Sequence, residues 1–409
     1  ASFIVQEHFP PGTDDTPGGP LFGVQFSSLV CTDIKQPNAV LGLSADPGGL
    51  PLYRNGLVVG GVGVEGDGRY ALDPDPSDRD QPSEERAATA GQAGFAPPDL
   101  IRAENILADG IAIPYNNSGA EAGAAGAPGR YVVEPRGGLP SALVSGELGG
   151  LPVRVDPRFP IRAGSALGAD EVRGILSSAV KQAARTRAAI RQPLGSAARV
   201  SYAVVDVDGR VLGFAQDVDA PNFGLDVSVQ KARTAAFFSA ADAGARLRAA
   251  GLAAYLPGDV PLDGRYAYTS RAVGFLAQPF FPPGIGGTDA GAFSLPFGNG
   301  EWSVFNTGLQ LDLVEDALRS ALAGVAPASC SRVPGLANGI TIFPGGVPLY
   351  KGGRLVGAVG VSGDGVDQDD LVASAGAAGF DAPDDKRCDQ LFVRGVRLPY
   401  VKFPRHPEL

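Results

Sequence analysis

The sequence predicts a mixed fold in which β-hairpins lead into helices, and it predicts that this unit occurs twice. The first observation is a repeat: PGGLPLYRNGLVVGGVGVEGDG at residues 47–68 returns as PGGVPLYKGGRLVGAVGVSGDG at residues 344–365, with 15 of 22 positions identical. The second observation is that the likeness continues downstream, where residues 90–115 match residues 375–400. Two copies of so long a unit are typical of a duplicated domain rather than of a solenoid array.

Each copy of the repeat has the pattern of a hairpin followed by a helix. An apolar strand precedes a two-residue turn, Asn55-Gly56 in the first copy and Gly352-Gly353 in the second. A strand rich in Val and Gly follows, and then a Gly-Asp-Gly loop. Asn-Gly and Gly-Gly pairs suit tight hairpin turns because both residues tolerate positive φ angles.

Further elements follow in chain order between the two copies. Residues 170–190 have the apolar spacing of an amphipathic helix, and residues 201–216 are a second hairpin that turns at residues 206–209. Residues 311–322 have the spacing of another core helix. The apolar positions of the first helix are Val172, Ile175, Leu176, Ala179, Val180 and Ala183.

Residues 251–309 read as an insertion rich in Gly, Pro and aromatic residues and without regular structure. The aromatic side chains must be buried against the domain, a partner subunit or a flat apolar ligand. They are Phe275, Phe280, Phe281, Phe293, Phe297, Trp302 and Phe305.

Three motifs in order give the chain a resemblance to a known family. They are the SYAVVDVDGRVLGFAQ hairpin, the LDVSVQKARTAAFF helix at residues 225–238, and the PGG hairpin with its GVSGDG loop and AG-x-x-GF helix. Together they resemble the haem-binding GlcG/HbpS family over residues 168–400. The resemblance implies an α+β domain, with an antiparallel sheet flanked by helices, that binds haem and often oligomerises. It implies no particular reaction.

The resemblance divides the chain into three parts. Residues 1–115 correspond to the C-terminal half of a first GlcG/HbpS-like domain, residues 116–165 to a linker with short β elements, and residues 166–409 to a complete second domain that contains the insertion. About 100 residues of the second copy have no counterpart in the first. Half a sheet leaves strand edges unpaired, so we expect the missing half as a separate fragment after proteolytic processing or on another chain.

Composition limits the class of protein. The 409 residues are 44% hydrophobic and 19% charged, with a net charge of −10 and a pI near 4.8. An acidic chain without a basic cluster is a poor ligand for nucleic acid or an anionic membrane surface, and no apolar run approaches the ~20 residues of a membrane span. A neutral or cationic ligand or partner fits better.

The methionine and cysteine content indicates in which cellular compartment the protein is expected. The chain has no Met, which fits removal of a signal peptide and a secreted or periplasmic location. Cys330 and Cys388 both lie in the second copy and could form a disulfide there, with Cys31 left over. No CxxCH motif for covalent haem attachment occurs.

Few residues are candidates for a metal or for haem iron. The loop acids Asp73, Asp75, Asp78 and Asp80 could bind Ca²⁺, but their spacing is not that of an EF-hand loop, and the prolines at 74 and 76 favour an extended solvated loop. The axial candidates for haem iron are the two histidines, a tyrosine of either hairpin, or a cysteine, and the alternative is that no protein residue binds the iron. These histidines and tyrosines are His8, His406, Tyr53 and Tyr350.

Residues of the 225–238 helix are the candidates for an anion site. Lys231, Arg233 and Thr234 could meet a haem propionate or a small carboxylate, and the resemblance implies that this helix borders the ligand pocket. The alternative is a solvated helix edge that pairs with the acidic loop of residues 364–370.

The sequence therefore predicts a secreted or periplasmic haem-binding protein for haem capture, for sensing, or as an accessory to a basic redox partner such as a cytochrome. One alternative is a structural assembly subunit without a ligand. The other is an enzyme that acts on a small organic acid. No Walker, Rossmann, HExxH or GxSxG motif points to an enzyme of those classes.

Overall fold

The computed structural model divides the chain into two compact units. Unit 1 comprises residues 1–25 and 44–139, and unit 2 comprises residues 26–43 and 140–409. The structure describes residues 9, 31–34, 47–66, 75, 77–105, 107–108, 110–118, 143–189, 191, 193–221, 223–277, 281–282, 291–293, 308–323 and 325–409.

Unit 1 contains the first copy of the repeat. Its elements form two two-stranded antiparallel sheets and one helix, with two 3₁₀ turns between α1 and β3. In chain order they are β1 (Gly49–Arg54), β2 (Leu57–Gly63), α1 (Ser83–Gly91), β3 (Leu107–Ala108) and β4 (Ile111–Ala112).

Unit 2 is built on a six-stranded antiparallel sheet with the strand order β5-β6-β8-β7-β10-β9. Its strands are β5 (Val144–Leu148), β6 (Leu151–Val155), β7 (Ser201–Val205), β8 (Val211–Asp217), β9 (Gly346–Lys351) and β10 (Arg354–Ser362), and β11 (Phe392–Val393) and β12 (Val396–Arg397) form a separate pair. Its helices are α2 (Ala169–Arg185), α3 (Gly224–Phe238), α4 (Ala243–Ala249), α5 (Ser270–Ala277), α6 (Gly308–Leu322) and α7 (Val366–Ala377).

Helices cover both faces of this sheet. Successive residues of a strand point to opposite faces, and in β7 Tyr202 and Val204 join a core with α2 and α7. Ala203 and Val205 join a second core with α3. The predicted α+β class, with an antiparallel sheet flanked by helices, is confirmed.

The two copies repeat the same local structure. In each copy the hairpin has a bulge, and the tyrosine of its first strand donates its backbone N–H to the phenylalanine that follows the helix. Tyr53 N lies 2.7 Å from Phe95 O, and Tyr350 N lies 2.7 Å from Phe380 O. The origin of this repetition in a tandem domain pair stays a prediction.

The boundaries of the units differ from the expected ones. Residues 144–155, expected in a linker, supply β5 and β6 at one edge of the main sheet, because β6 pairs with β8 through residues 153–155. The expected unstructured insertion contains α5 and the buried Phe281 and Phe293. Phe280, Phe297, Trp302 and Phe305 lie outside the described residues.

The expected disulfide between Cys330 and Cys388 is wrong. Cys330 is bonded to Cys31, with a Cα–Cα distance of 5.2 Å, and Cys388 is a buried free thiol. The pairing was not foreseen because residues 26–43 lie between the two parts of unit 1 in sequence but are grouped with unit 2 in space. Burial raises the pKa of Cys388 to about 12, so this thiol is a poor nucleophile.

The disulfide gives a first testable prediction. Replacing both Cys31 and Cys330 with Ser should lower the free energy of unfolding by about 2–4 kcal/mol, because the bond closes a long loop in the unfolded chain. Cys388→Ala, which removes only the free thiol, is the control for loss of a buried sulfur. Peptide mapping without reductant should recover the Cys31–Cys330 pair, and recovery of a Cys388 disulfide would contradict the structure.

Candidate functional site

Helix α3 carries the predicted anion-binding residues, and all of its residues are buried. One side packs small side chains, including Ala232 and Ala235, against the sheet. Its polar residues are therefore buried too, and a buried polar group needs a hydrogen-bond partner to offset its lost hydration. The partners of these residues decide which of them could meet a ligand.

Lys231 is committed to the core of unit 2. Its Nζ lies 2.7 Å from Asp369 Oδ2 in α7 and donates to Val361 O at 2.9 Å. Burial lowers the pKa of Lys231 and raises that of Asp369 to about 6, while the contact between the two groups opposes both changes. The pairing with the acidic loop is the alternative considered from sequence, but it is a buried ion pair and not a solvated edge.

Thr234 also has an internal role. Its Oγ1 donates to Gln230 O at 2.7 Å and accepts from the backbone N–H of Thr341 at 3.0 Å. The hydroxyl thus fixes the loop before β9 to α3. Neither Lys231 nor Thr234 presents a polar atom to a ligand in this structure.

Arg233 differs because its guanidinium holds a carboxylate that is partly exposed. Nη1 and Nη2 donate to the two carboxylate oxygens of Asp33 at 2.8 and 2.6 Å, and the Asp33 side chain is 38% exposed. Nη1 also donates to Asn338 Oδ1 and Nε to Gly209 O, at 2.6 and 2.8 Å. Arg233 therefore forms a built site for a carboxylate, and an internal carboxylate lies in it.

Asp33 belongs to a short segment, residues 31–34, that lies along α3. Thr32 Oγ1 donates to Asp226 Oδ1 at 2.7 Å, and the disulfide of Cys31 fixes the start of the segment. Asn338 Nδ2 donates to Asp226 O at 3.0 Å. We call Thr32, Asp33, Asp226, Arg233 and Asn338 the Arg233 cluster.

Asp226 is the titratable group of this cluster with a displaced pKa. Burial raises its pKa to about 6, and the charge of Asp33 acts in the same direction. The hydrogen bond from Thr32 and the charge of Arg233 act in the opposite direction. Burial dominates because Asp226 is only 3% exposed.

A second group of interest surrounds Tyr350. The Oη atoms of Tyr350 and Tyr400 are buried and make no hydrogen bond to any part of the chain that the structure describes. Burial raises the pKa of Tyr350 to about 12, while the nearby Ser239 hydroxyl lowers it. Burial also raises the pKa of Tyr400, and the Arg387 guanidinium, 4.4 Å from the centre of the Tyr400 ring, lowers it. Unpaired buried hydroxyls are uncommon and call for an explanation.

The remaining predicted residues are not brought into one site. Tyr53 is half-buried in unit 1, and His406 is exposed in the C-terminal segment of unit 2. His8 and Asp73 lie outside the described residues. Four of the predicted residues lie in the core of unit 2, namely Lys231, Arg233, Thr234 and Tyr350. The three on α3 have different hydrogen-bond partners.

The described residues of the predicted calcium loop form no cluster of metal ligands. Asp75 accepts hydrogen bonds from the backbone N–H and the hydroxyl of Ser77, at 2.9 and 2.6 Å. Asp78 and Asp80 are exposed. Within the described ranges, no three His, Cys, Asp or Glu side chains are grouped so as to hold an ion. Because Asp73 is not described, calcium binding by this loop stays a prediction.

Sequence reasoning missed Asp33, Asp226, Asn338 and Tyr400. Asp226, Gln230 and Arg233 are spaced by four and three residues, so they share one helical face, and that spacing was a usable signal. Asp33 carried no local signal because 200 residues separate it from Arg233.

The buried Lys231–Asp369 ion pair predicts that loss of Lys231 has a large effect on stability. Lys231→Met should lower the free energy of unfolding by about 3–5 kcal/mol at pH 7.5, because Asp369 is left buried without its cation. Adding Asp369→Asn should restore part of the loss. Denaturant unfolding of the wild type and of these variants measures both effects. A loss below about 1 kcal/mol for Lys231→Met would contradict a buried ion pair.

Asp226 predicts a pH dependence. Its folded pKa of about 6 exceeds the ordinary value of 3.8, so between these pH values the unfolded chain loses the proton first and stability falls as pH rises. Asp226→Asn keeps an oxygen acceptor for Thr32 and removes this titration. Unfolding at pH 4 and pH 7.5 should therefore show a smaller decrease in the variant, and an equal decrease in both proteins would contradict the assignment.

Comparisons with known proteins agree with part of the sequence analysis. The family model described as haem degrading protein HbpS-like matches residues 302–378. A search of curated proteins found no match. Within the described residues, no helix combines the length and apolarity that crossing a membrane requires.

Three solved structures show remote similarity. Protein ORFY of Klebsiella pneumoniae is 17% identical, with 52% of this chain and 88% of that chain covered and a TM-score of 0.27. The PduOC:heme complex is 16% identical, with coverages of 58% and 99% and a TM-score of 0.25. A double mutant of Streptomyces reticuli HbpS is 18% identical, with coverages of 62% and 99% and a TM-score of 0.25. These values are too low for any of the three structures to locate a site in this chain.

The family match covers β9, β10 and all of α7, which contain the last of the three sequence motifs, whereas the hairpin of residues 201–216 and the helix of residues 225–238 lie outside it. It confirms the resemblance on which the sequence analysis depended. The family to which this chain is similar, over residues 302–378, is therefore the HbpS-like family.

Proposed function

We propose that unit 2 binds haem and that the protein acts in a secreted or periplasmic setting, in haem capture, in sensing, or as an accessory to a redox partner. The observation that carries the proposal is the HbpS-like match over residues 302–378. The haem group would supply redox-active iron, and the chain would supply charge neutralisation, an iron ligand and an apolar surround.

Arg233 is the residue best suited to a haem propionate. A propionate is a carboxylate, and Arg233 already holds the carboxylate of Asp33 with two parallel hydrogen bonds. Because Asp33 lies on a short segment and is partly exposed, a propionate could replace it without removal of a core side chain. Lys231 and Thr234, which have buried partners, act by fixing α3 in place.

Tyr350 is the proposed axial ligand. Its Oη is an oxygen donor without a hydrogen-bond partner among the described residues, and it lies in a core that contains Phe238, Phe281 and Phe293. A phenolate is an established kind of haem ligand. Burial raises the pKa of Tyr350 to about 12, so the residue keeps its proton in this structure, and its Oη would supply an oxygen ligand to the iron.

A partner and an assembly are part of the same proposal. The net charge of −10 favours docking to a basic protein such as a cytochrome. Homo- or hetero-oligomers are expected from the family resemblance.

A second candidate function rests on Arg233 alone. The same two hydrogen bonds would hold the carboxylate of a small organic acid, as a binding protein or an enzyme for such acids requires. Absence of haem binding together with faster hydrogen exchange of residues 31–34 on addition of a small carboxylate, which would displace Asp33 from Arg233, would favour it.

A haem titration tests the main proposal. Haem added to the purified protein should produce a Soret band, and Tyr350→Phe should weaken binding at least ~10-fold, which corresponds to about 1.4 kcal/mol. Tyr53→Phe, at the matching position of unit 1, is the control and should leave affinity unchanged. Asp33→Asn should strengthen binding, because it removes the carboxylate that competes for Arg233.

Two results would contradict the proposal. A protein that stays colourless with excess haem would exclude haem binding and leave the carboxylate and assembly alternatives. Equal affinities for the wild type, Tyr350→Phe and Asp33→Asn would show that haem binds elsewhere.

A further inference from the structure

The hairpin of unit 1 exposes a surface that its counterpart in unit 2 buries. Residues 47–68 and 344–365 align without a gap, so Val59 corresponds to Val356. Val59 is 57% exposed and Val356 is 3% exposed. Leu57 and Val58 are also exposed, by 72% and 63%. An apolar strand this open is typical of a surface that binds another polypeptide.

Three glycines show what kind of structure covers the hairpin in unit 2. A Cβ placed on Gly346, Gly357 or Gly360 would lie 2.0–2.3 Å from a backbone oxygen of α3 or β7. The oxygens are those of Lys231, Val205 and Ser228, respectively. Backbone approaches backbone at these points, and only glycine permits this distance.

The same three positions are glycine in unit 1, where the described residues give no reason for them. They are Gly49, Gly60 and Gly63, and among the described residues no atom lies within 4 Å of a Cβ placed on any of them. All three residues are exposed. Glycine in a strand costs about 0.5–1 kcal/mol relative to alanine, so three open glycines weaken the isolated hairpin.

Another glycine of the repeat provides a contrast. A Cβ on Gly48 would lie 2.4 Å from Val64 O, and one on Gly345 would lie 2.5 Å from Val361 O. The hairpin itself therefore requires this glycine in both copies. Gly49, Gly60 and Gly63 differ because their requirement appears only when a helix and a strand are added.

The edge of β2 opposite β1, on which no strand lies among the described residues, is also oriented to pair. Val64 N donates to Gly48 O in unit 1, as Val361 N donates to Gly345 O in unit 2. Because N–H groups alternate in direction along a strand, those of Gly61 and Gly63 point away from β1. In unit 2 the matching residues of β10, Ala358 and Gly360, pair with β7.

We propose that the β1–β2 hairpin binds a second polypeptide, which adds a strand to the edge of β2 and lays a helix across the hairpin as β7 and α3 do in unit 2. The contact positions of that helix must be small, as Ser228 and Ala232 are in α3. The partner is thus recognised by backbone hydrogen bonding and close helix approach. This inference does not depend on haem binding, which concerns unit 2.

A synthetic peptide of residues 199–239 tests the proposal, because it contains the sequences of β7, β8 and α3. Hydrogen exchange of the full chain, followed by mass spectrometry, should slow at least ~10-fold over residues 57–65 when the peptide is added. A peptide of the same composition in scrambled order should have no effect.

A matched pair of variants makes the test specific. Gly63→Val should keep the unfolding midpoint, since its side chain enters open space, and should weaken peptide binding at least ~10-fold because it blocks the helix. Gly258→Val, at another exposed glycine with no atom nearby among the described residues, should bind as the wild type does.

Three results would overturn the proposal. The first is unchanged exchange over residues 57–65 with the peptide, and the second is equal affinity of Gly63→Val and the wild type. The third is protection of β2 in the chain alone that disappears on dilution, which would identify a second copy of this chain as the occupant.

Discussion

The close packing of α3 on the β9–β10 hairpin is the contact on which unit 2 depends. It is possible because Gly346 and Gly360 carry no side chain where the hairpin meets the backbone of Lys231 and Ser228. This packing buries the whole of α3, so every polar side chain of the helix must find an internal partner. The Lys231–Asp369 pair, the Arg233 cluster and the hydrogen bonds of Thr234 are the results of that requirement.

Pattern and turn chemistry were enough to predict most of the secondary structure. The observed bounds lie within a few residues of the predicted ones for the hairpins and for α2, α3 and α6. The reason is that the periodicity of apolar residues and the glycines of tight turns are local signals. The depth of burial was not predictable in the same way. Lys231 and Arg233 look solvated in a sequence, and only the glycines of a hairpin more than 100 residues away bring them into the core.

Contacts between distant segments account for the errors in the site. The Cys31–Cys330 bond and the Arg233–Asp33 pair both join the main part of unit 2 to a segment that lies between the two parts of unit 1 in sequence. The sequence analysis placed a disulfide within one copy, whereas the fold joins Cys31 and Cys330, which precede the PGG turns of the two copies by 16 and 14 residues. Tyr350 was found from the repeat, but Tyr400 was missed because its unpaired hydroxyl is a property of packing alone.

The position of the disulfide also affects how cleavage of the chain would be detected. Cys31 and Cys330 enclose residues 44–139 of unit 1 and most of unit 2. One broken peptide bond anywhere between them leaves two pieces that are still covalently joined. A cleaved molecule would therefore migrate as one species on a denaturing gel without reductant and would separate into two fragments only after reduction. An unbroken molecule on such a gel is thus no evidence of an unbroken polypeptide chain.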